Sequence, residues 1–162
     1  MTDTAASFQQ THTDRLNHFI QHNLPLLVSM KVDIVHYDGK QFRVKMPLSS
    51  NHNDKGTAFG GSLYCLCIIN AIGLAFLKSY EQGITPDLVV TRAEIAYLAP
   101  AKGENIIAEA IAPDPARWQQ FFSDFKTQGK AKIALESQIM HNKKTCVKFT
   151  GDFALIGENT NE

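Results

Sequence analysis

Apolar residues recur along this chain with different periods, and the changes of period divide it into elements. Leu16, Phe19 and Ile20 lie at helical spacing, which predicts a helix from Thr13 that Pro25 bounds. The residues before it are largely polar and predict a flexible segment over 1–12, with the folded domain at 13–157. Val28, Met30, Val32 and Ile34 then alternate with Ser29, Lys31 and Asp33, the pattern of a half-buried strand. Asp38-Gly39 is a hairpin signal, and Phe42, Val44, Met46 and Leu48 resume the period of two, so the first two strands are antiparallel neighbours.

A polar loop, Ser49 to Phe59, leads through Gly60-Gly61-Ser62 into a helix that is apolar on nearly all sides until about Tyr80, closed by Gly83. A helix of that kind must be enclosed on nearly all sides. Strands follow over Asp87 to Leu98 and Asn105 to Ala112. Asp114-Pro115 then starts a short helix with an aromatic stripe, Trp118, Phe121, Phe122 and Phe125, which Gly129 ends. Two last strands, Lys130 to Met140 and Lys144 to Ile156, flank His141-Asn142-Lys143. The pattern predicts an α+β fold in which about six mostly antiparallel strands wrap one long apolar helix. One helix cannot cover both faces of such a sheet, so partner subunits are expected to contribute.

Composition narrows the function. The 162 residues make one domain, and 16 Lys+Arg against 16 Asp+Glu leave no surplus of cations for phosphate neutralisation, so no nucleic-acid partner is expected. Three cysteines, two of them inside the apolar run, do not make a disulfide framework. Met1 to Gln10 lacks the basic start and apolar core of a signal peptide. The stretch Leu63 to Leu77 would reach about 22 Å as a helix, short of a roughly 30 Å hydrocarbon core, so no membrane span is expected and the cytoplasm is the expected compartment.

The chemistry concentrates between Asn51 and Tyr64. Paired glycines at a helix start let another group approach the backbone, and the first-turn N–H groups have no intrahelical partner. Together with the positive end of the helix they suit a carbonyl oxygen that becomes anionic during reaction; alternatively, Gly60 and Gly61 only permit tight packing against the sheet. The run Asn51-His52-Asn53-Asp54-Lys55-Gly56-Thr57-Ala58-Phe59-Gly60-Gly61-Ser62-Leu63-Tyr64 resembles the loop and helix start of hotdog-fold thioesterases, nearest to the C-terminal domain of bacterial YiiD-type proteins. Val89 to Gly103, with its Pro100-Ala101-Lys102-Gly103 turn, resembles the strand and turn that follow the hotdog helix.

The resemblance, over roughly residues 15–157, implies a hotdog fold, a homodimer or tetramer, and an active site at a subunit interface. It implies that an acyl thioester of coenzyme A or acyl carrier protein points its carbonyl at the N–H of Gly61, with Asn51 or Asn53 as a polar loop residue near the thioester or the water. Asn53 and Asp54 are then expected to arrange the water, and Asn51, His52, Phe59, Gly60, Ser62, Tyr64 and Glu94 to line the substrate. No cofactor is implied. The chain has Phe59-Gly60-Gly61 where many hotdog thioesterases carry His-Gly-Gly, and Ile68 where many carry Asp or Glu. The base is therefore expected from Asp54, then His52, histidine being a residue type suited to proton transfer at neutral pH, then Glu94. A loop-capping Asp54, a solvated His52, a Glu94 paired with Arg92 and a Ser62 spent on the first helical turn are the structural alternatives. An acyl-thioester binding module without hydrolysis and a hotdog dehydratase or hydratase are the other functional ones.

Other signals are weaker. His18 and His22 share a helix face without a third metal ligand, so no metal is expected; Cys65 and Cys67 point to different sides of their helix. Asn70 in the apolar helix needs a partner if buried. Lys55, Arg92, Lys102 and Lys143-Lys144 are the candidates for local contact with an anionic carrier.

Overall fold

A computed structural model describes residues 2–157, with side chains from residue 6 onward. In chain order the elements are helices α1 (Thr2–Asn23) and α2 (Pro25–Ser29), strands β1 (Asp33–Tyr37) and β2 (Gln41–Pro47), a 3-10 turn (Leu48–Ser50), and helix α3 (Gly60–Glu81). Strands β3 (Asp87–Tyr97) and β4 (Asn105–Ile111), helix α4 (Pro115–Gln128), and strands β5 (Lys130–His141) and β6 (Lys144–Ile156) complete the fold. All six strands form one sheet in the order β1-β2-β4-β5-β6-β3, antiparallel at every pairing. α3 touches β2, β3, β4, β5 and β6, so the sheet curls around the apolar helix as the hydrophobic pattern requires. This is the α+β hotdog arrangement.

The start of the first helix is corrected. α1 begins at Thr2 rather than Thr13, and its His12, inside the segment expected to be flexible, is buried between Phe8 and Tyr80. Ser7, Gln10, Thr11 and Asp14 are exposed and make the solvent face of an amphipathic helix whose other face, Leu16 and Ile20, lies in the core.

The expected strand from Val28 is also corrected. Pro25 occupies the first turn of α2, where its missing N–H costs nothing, and Lys31 leaves the turn with a φ of 58°. Val28 and Met30 therefore lie on a helical turn, and β1 starts only at Asp33. An apolar run as short as Leu26-Leu27-Val28 fits either period.

At 22 residues α3 spans about 33 Å, as long as a membrane crossing, but its Leu66, Cys67, Asn70, Leu74 and Leu77 are buried among the protein's own strands. Two contacts fix its place. Gly73 lets the ring of Phe42 close onto the helix backbone: a Cβ there would lie 2.7 Å from Phe42 Cε1. Asn70, fully buried, donates from Nδ2 to the carbonyl of Phe42 at 2.9 Å and accepts from the Ser137 hydroxyl at 2.6 Å. The polar residue in the apolar helix thus pins it to β2 and β5, and its partners are satisfied from both sides.

Candidate active site

The loop before α3 is built by asparagines. Asn53 Oδ1 accepts from the backbone N–H of Lys55 (2.9 Å) and Thr57 (3.1 Å), and its Nδ2 donates to Thr57 Oγ1 at 2.9 Å. Gly56, at a φ of 71°, makes the reversal that this closed turn needs. Asn51 is buried and donates from Nδ2 to the carbonyls of Met30 and Pro47, both at 2.9 Å, while its own carbonyl accepts from Phe59 N–H at 2.8 Å. The loop therefore leaves α2 and β2 and delivers Phe59 at a fixed point. From there the chain enters α3.

That helix start is uncapped. Phe59 stands at the N-cap without a side-chain bond, and the first turn contains no acidic residue. The first helical bond runs from Leu63 N–H to Phe59 carbonyl at 3.0 Å, so the N–H groups of Gly60, Gly61 and Ser62 precede the ladder. Gly61 is exposed, and the half-exposed ring of Phe59 covers one side of it. The positive end of a 22-residue helix and N–H donors without intrahelical partners meet at one accessible spot, which suits an oxyanion.

Tyr97, at the end of β3, donates its hydroxyl to the Gly60 carbonyl at 2.9 Å, and its ring lies 3.6 Å from where a Gly60 Cβ would sit. Burial, and then Cys67, Tyr64 and Cys65 nearby, raise its phenol pKa, so it remains a donor. The sequence pattern shows Tyr97 only as one of the alternating residues of a strand; its place beside Pro100 and the turn back to the loop was the available clue.

The other expected site residues divide. Phe59, Gly60, Gly61, Ser62 and Tyr64 stand together at the helix start, with the Tyr64 ring against Phe149 at 6.0 Å. Among the described residues Ser62 has no side-chain hydrogen bond and caps nothing. Asn51 and Asn53 have their amide donors committed to the loop. His52 is exposed and its Nδ1 faces the Asn53 carbonyl at 3.0 Å. Asp54 is exposed and paired with Lys55 Nζ at 3.0 Å, and Glu94 is exposed and paired with Arg92. One turn beyond Gly61 an apolar groove of about 390 Å³ opens, walled by Cys65, Ile68 and Ile72 of α3, Leu24 and Leu26, and Val90 of β3. Ile68 is part of that wall. Burial pushes the thiol of Cys65 upward and that of Cys67 to about 12, so neither is a thiolate at neutral pH. His18 and His22 stack at 3.9 Å, and among the described residues no group of three metal-ligating side chains occurs.

Residues 13–157 match the family model described as "Putative thioesterase (yiiD_Cterm)". The chain belongs to this family. A solved protein of unknown function from Chlorobaculum tepidum is similar at 36% identity, covering 90% of this chain and 94% of its own, with a TM-score of 0.85. A putative thioesterase from Shewanella oneidensis is similar at 25% identity over 91% of this chain and 99% of its own, with a TM-score of 0.79. The PaaI protein of the E. coli phenylacetic acid degradation operon, at 17% identity, shares the fold over 91% of this chain and 95% of its own with a TM-score of 0.62. A thioesterase-like function follows from family membership.

Proposed function

We propose that the chain hydrolyses an acyl thioester of coenzyme A or acyl carrier protein at the start of α3, as a homodimer or tetramer in the cytoplasm. The uncapped glycine pair carries this reading: the N–H of Gly61 is free to polarise the thioester carbonyl and to hold the charge that develops when water adds. The acyl chain follows the helix into the groove past Cys65 and Ile68. Asp54 is the one carboxylate of the loop and accepts the proton from water; Asn53 acts by holding the turn that presents it. Tyr97 fixes the carbonyl of Gly60 and with it the direction of the first helical turn.

Thiol release from acyl-coenzyme A substrates of graded chain length tests the reaction. In Gly61→Ala the new Cβ would lie 2.5 Å from Phe59 Cε1, but that ring is half-exposed and can turn away, so the variant folds. Its rate of thiol release is expected to fall about 10²-fold, because substrate can no longer seat against the backbone. Asp54→Ala is expected to lose thiol release as well. Full activity in both Gly61→Ala and Asp54→Ala would refute the site. Sedimentation of the active protein as a monomer would refute the assembly.

The committed Asn53 amide and the apolar Ile68 favour one second reading, a module that binds acyl thioesters without cleaving them. Saturable acyl-coenzyme A binding with no thiol release would decide for it.

A further inference from the structure

A second cavity lies at the opposite end of α3, about 30 Å along the helix from Gly60. It encloses about 850 Å³ between the β1–β2 turn, the last turns of α3, the end of β4 and helix α4, within the size range of small-molecule sites. Trp118 and Phe122 of α4, stacked at 6.0 Å with 20° between their planes, make an apolar wall that the exposed Ile111 extends.

The charge of the lining is uneven. Lys40 of the β1–β2 turn, Lys78 of α3 and Lys126 of α4 come from three elements distant in sequence and meet around one cavity. Both carboxylates of the lining are already engaged: Glu81 accepts the Tyr37 hydroxyl at 2.5 Å and Lys78 Nζ at 3.1 Å, and Asp114 accepts the N–H of Ala116 at 2.8 Å to cap α4. Lys40 and Lys126 have no carboxylate partner among the described residues. An apolar wall and two lysines without carboxylate partners in the lining of one cavity fit a ligand with an aliphatic body and one anionic end.

We infer that this cavity binds an aliphatic carboxylate, the chain against Trp118, Phe122 and Ile111 and the carboxylate at Lys40 and Lys126. Water and an acyl thioester give a thiol and such a carboxylic acid, so as the source of the ligand this inference rests on the proposed reaction. The binding itself does not. The cavity is then a second, product-class site at the far end of the catalytic helix.

Trp118 is the only tryptophan of the chain, so its fluorescence reports this cavity directly. Decanoate, titrated below its micelle-forming concentration, is expected to give a saturating change in emission. Decanol is expected to bind about tenfold more weakly, the loss that goes with one charge-assisted contact, and acetate to produce no change. Lys40→Gln combined with Lys126→Gln is expected to weaken decanoate about tenfold and to leave decanol unchanged; Ile111→Ser, at an exposed position, weakens both. The inference is overturned if decanol binds as tightly as decanoate, if the double lysine variant binds decanoate unchanged, or if emission does not saturate. A midpoint that rises with protein concentration beyond simple depletion would give the cavity to a second copy of the chain and overturn it too. Thiol release without decanoate binding removes this inference alone, and decanoate binding without thiol release removes the thioesterase reading alone.

Discussion

Replacing Asn51 tests how the loop holds the helix start. Its amide is buried and donates two bonds of 2.9 Å, to the carbonyls of Met30 and Pro47, while its Oδ1 has no partner. Asn51→Ala removes both bonds, each worth about 1 kcal/mol net, and leaves acceptors stranded at a further cost of similar size. Loss of the unpartnered Oδ1 offsets about 1 kcal/mol of this, so the expected destabilisation is about 2 kcal/mol. Asn51→Asp keeps the shape and does more damage. It sets an unpaired buried carboxylate against two carbonyl oxygens, a cost of about 3–5 kcal/mol at neutral pH. In that variant the folded-state carboxyl pKa rises, so the folded form binds the proton more tightly than the unfolded form, and stability recovers as pH falls. Urea unfolding at pH 7.5 and pH 5 measures all three proteins, with the slope m as the check that the transition is unchanged in kind. Because the Asn51 carbonyl also accepts from Phe59 N–H, thiol release is expected to fall in the same order. An Asn51→Asp protein as stable at neutral pH as Asn51→Ala would refute the donor assignment.

Two further outcomes follow from the core. Gly73→Ala gains up to about 1 kcal/mol of helix propensity but drives a Cβ to 2.7 Å from Phe42 Cε1 and 3.3 Å from Leu16 Cδ2, both fully buried. Overpacking of about 1–3 kcal/mol wins, and a thermal melt is expected to show a lower Tm; a higher one would contradict the contact. His12 is the second case: burial lowers its pKa below 6.5, with Glu81 opposing and Arg15 adding to the shift. The unfolded chain then takes up a proton that the folded chain refuses, so the His12 contribution is complete above pH 6.5 and is lost as pH falls from there through the folded value. His12→Phe, which keeps a ring between Phe8 and Tyr80, is expected to flatten the stability profile between pH 7.5 and 5; an unchanged slope would show that His12 does not cause it.

The elements whose burial pattern has one period over many residues were legible in the sequence. The ends of α3, β3, β4, α4, β5 and β6 fall within a residue or two of the expected positions, because the proline and glycine punctuation at Asp114-Pro115, Gly83 and Gly129 is local. Two regions were not legible. The start of α1 is polar, and only burial of His12 against Tyr80, a partner 68 positions away, shows that the helix continues. Leu26 to Val32 carries two periods at once, and Pro25 decides between them through backbone geometry rather than hydropathy. In the site the glycine pair was visible as a motif, whereas the hydrogen bonds that commit Asn51 and Asn53 depend on where Met30, Pro47 and Thr57 end up. Tyr97 was hidden for the same reason. Its partner, Gly60, lies 37 residues earlier.

That contact between Tyr97 and Gly60 connects the proposed reaction to the shape of the sheet. From Gly60 to Ile72 the helix offers no carboxylate and no imidazole, and its two thiols are held protonated by burial. Asp54 stands in solvent beside Lys55, so within one chain the start of α3 has a donor for the oxyanion and little around it to confine water. β3 is the edge of the sheet, eleven residues long, with Val89, Val90 and Tyr97 exposed. An edge so long and apolar leaves a row of backbone groups ready to pair with another strand. A partner strand paired there would lie at about 4.8 Å from β3, and Tyr97 puts that edge directly beside Gly60. On the proposed reading, the pairing that relieves the edge is therefore also the step that closes the site, and the carbonyl-polarising glycine works only once a second copy has walled it in.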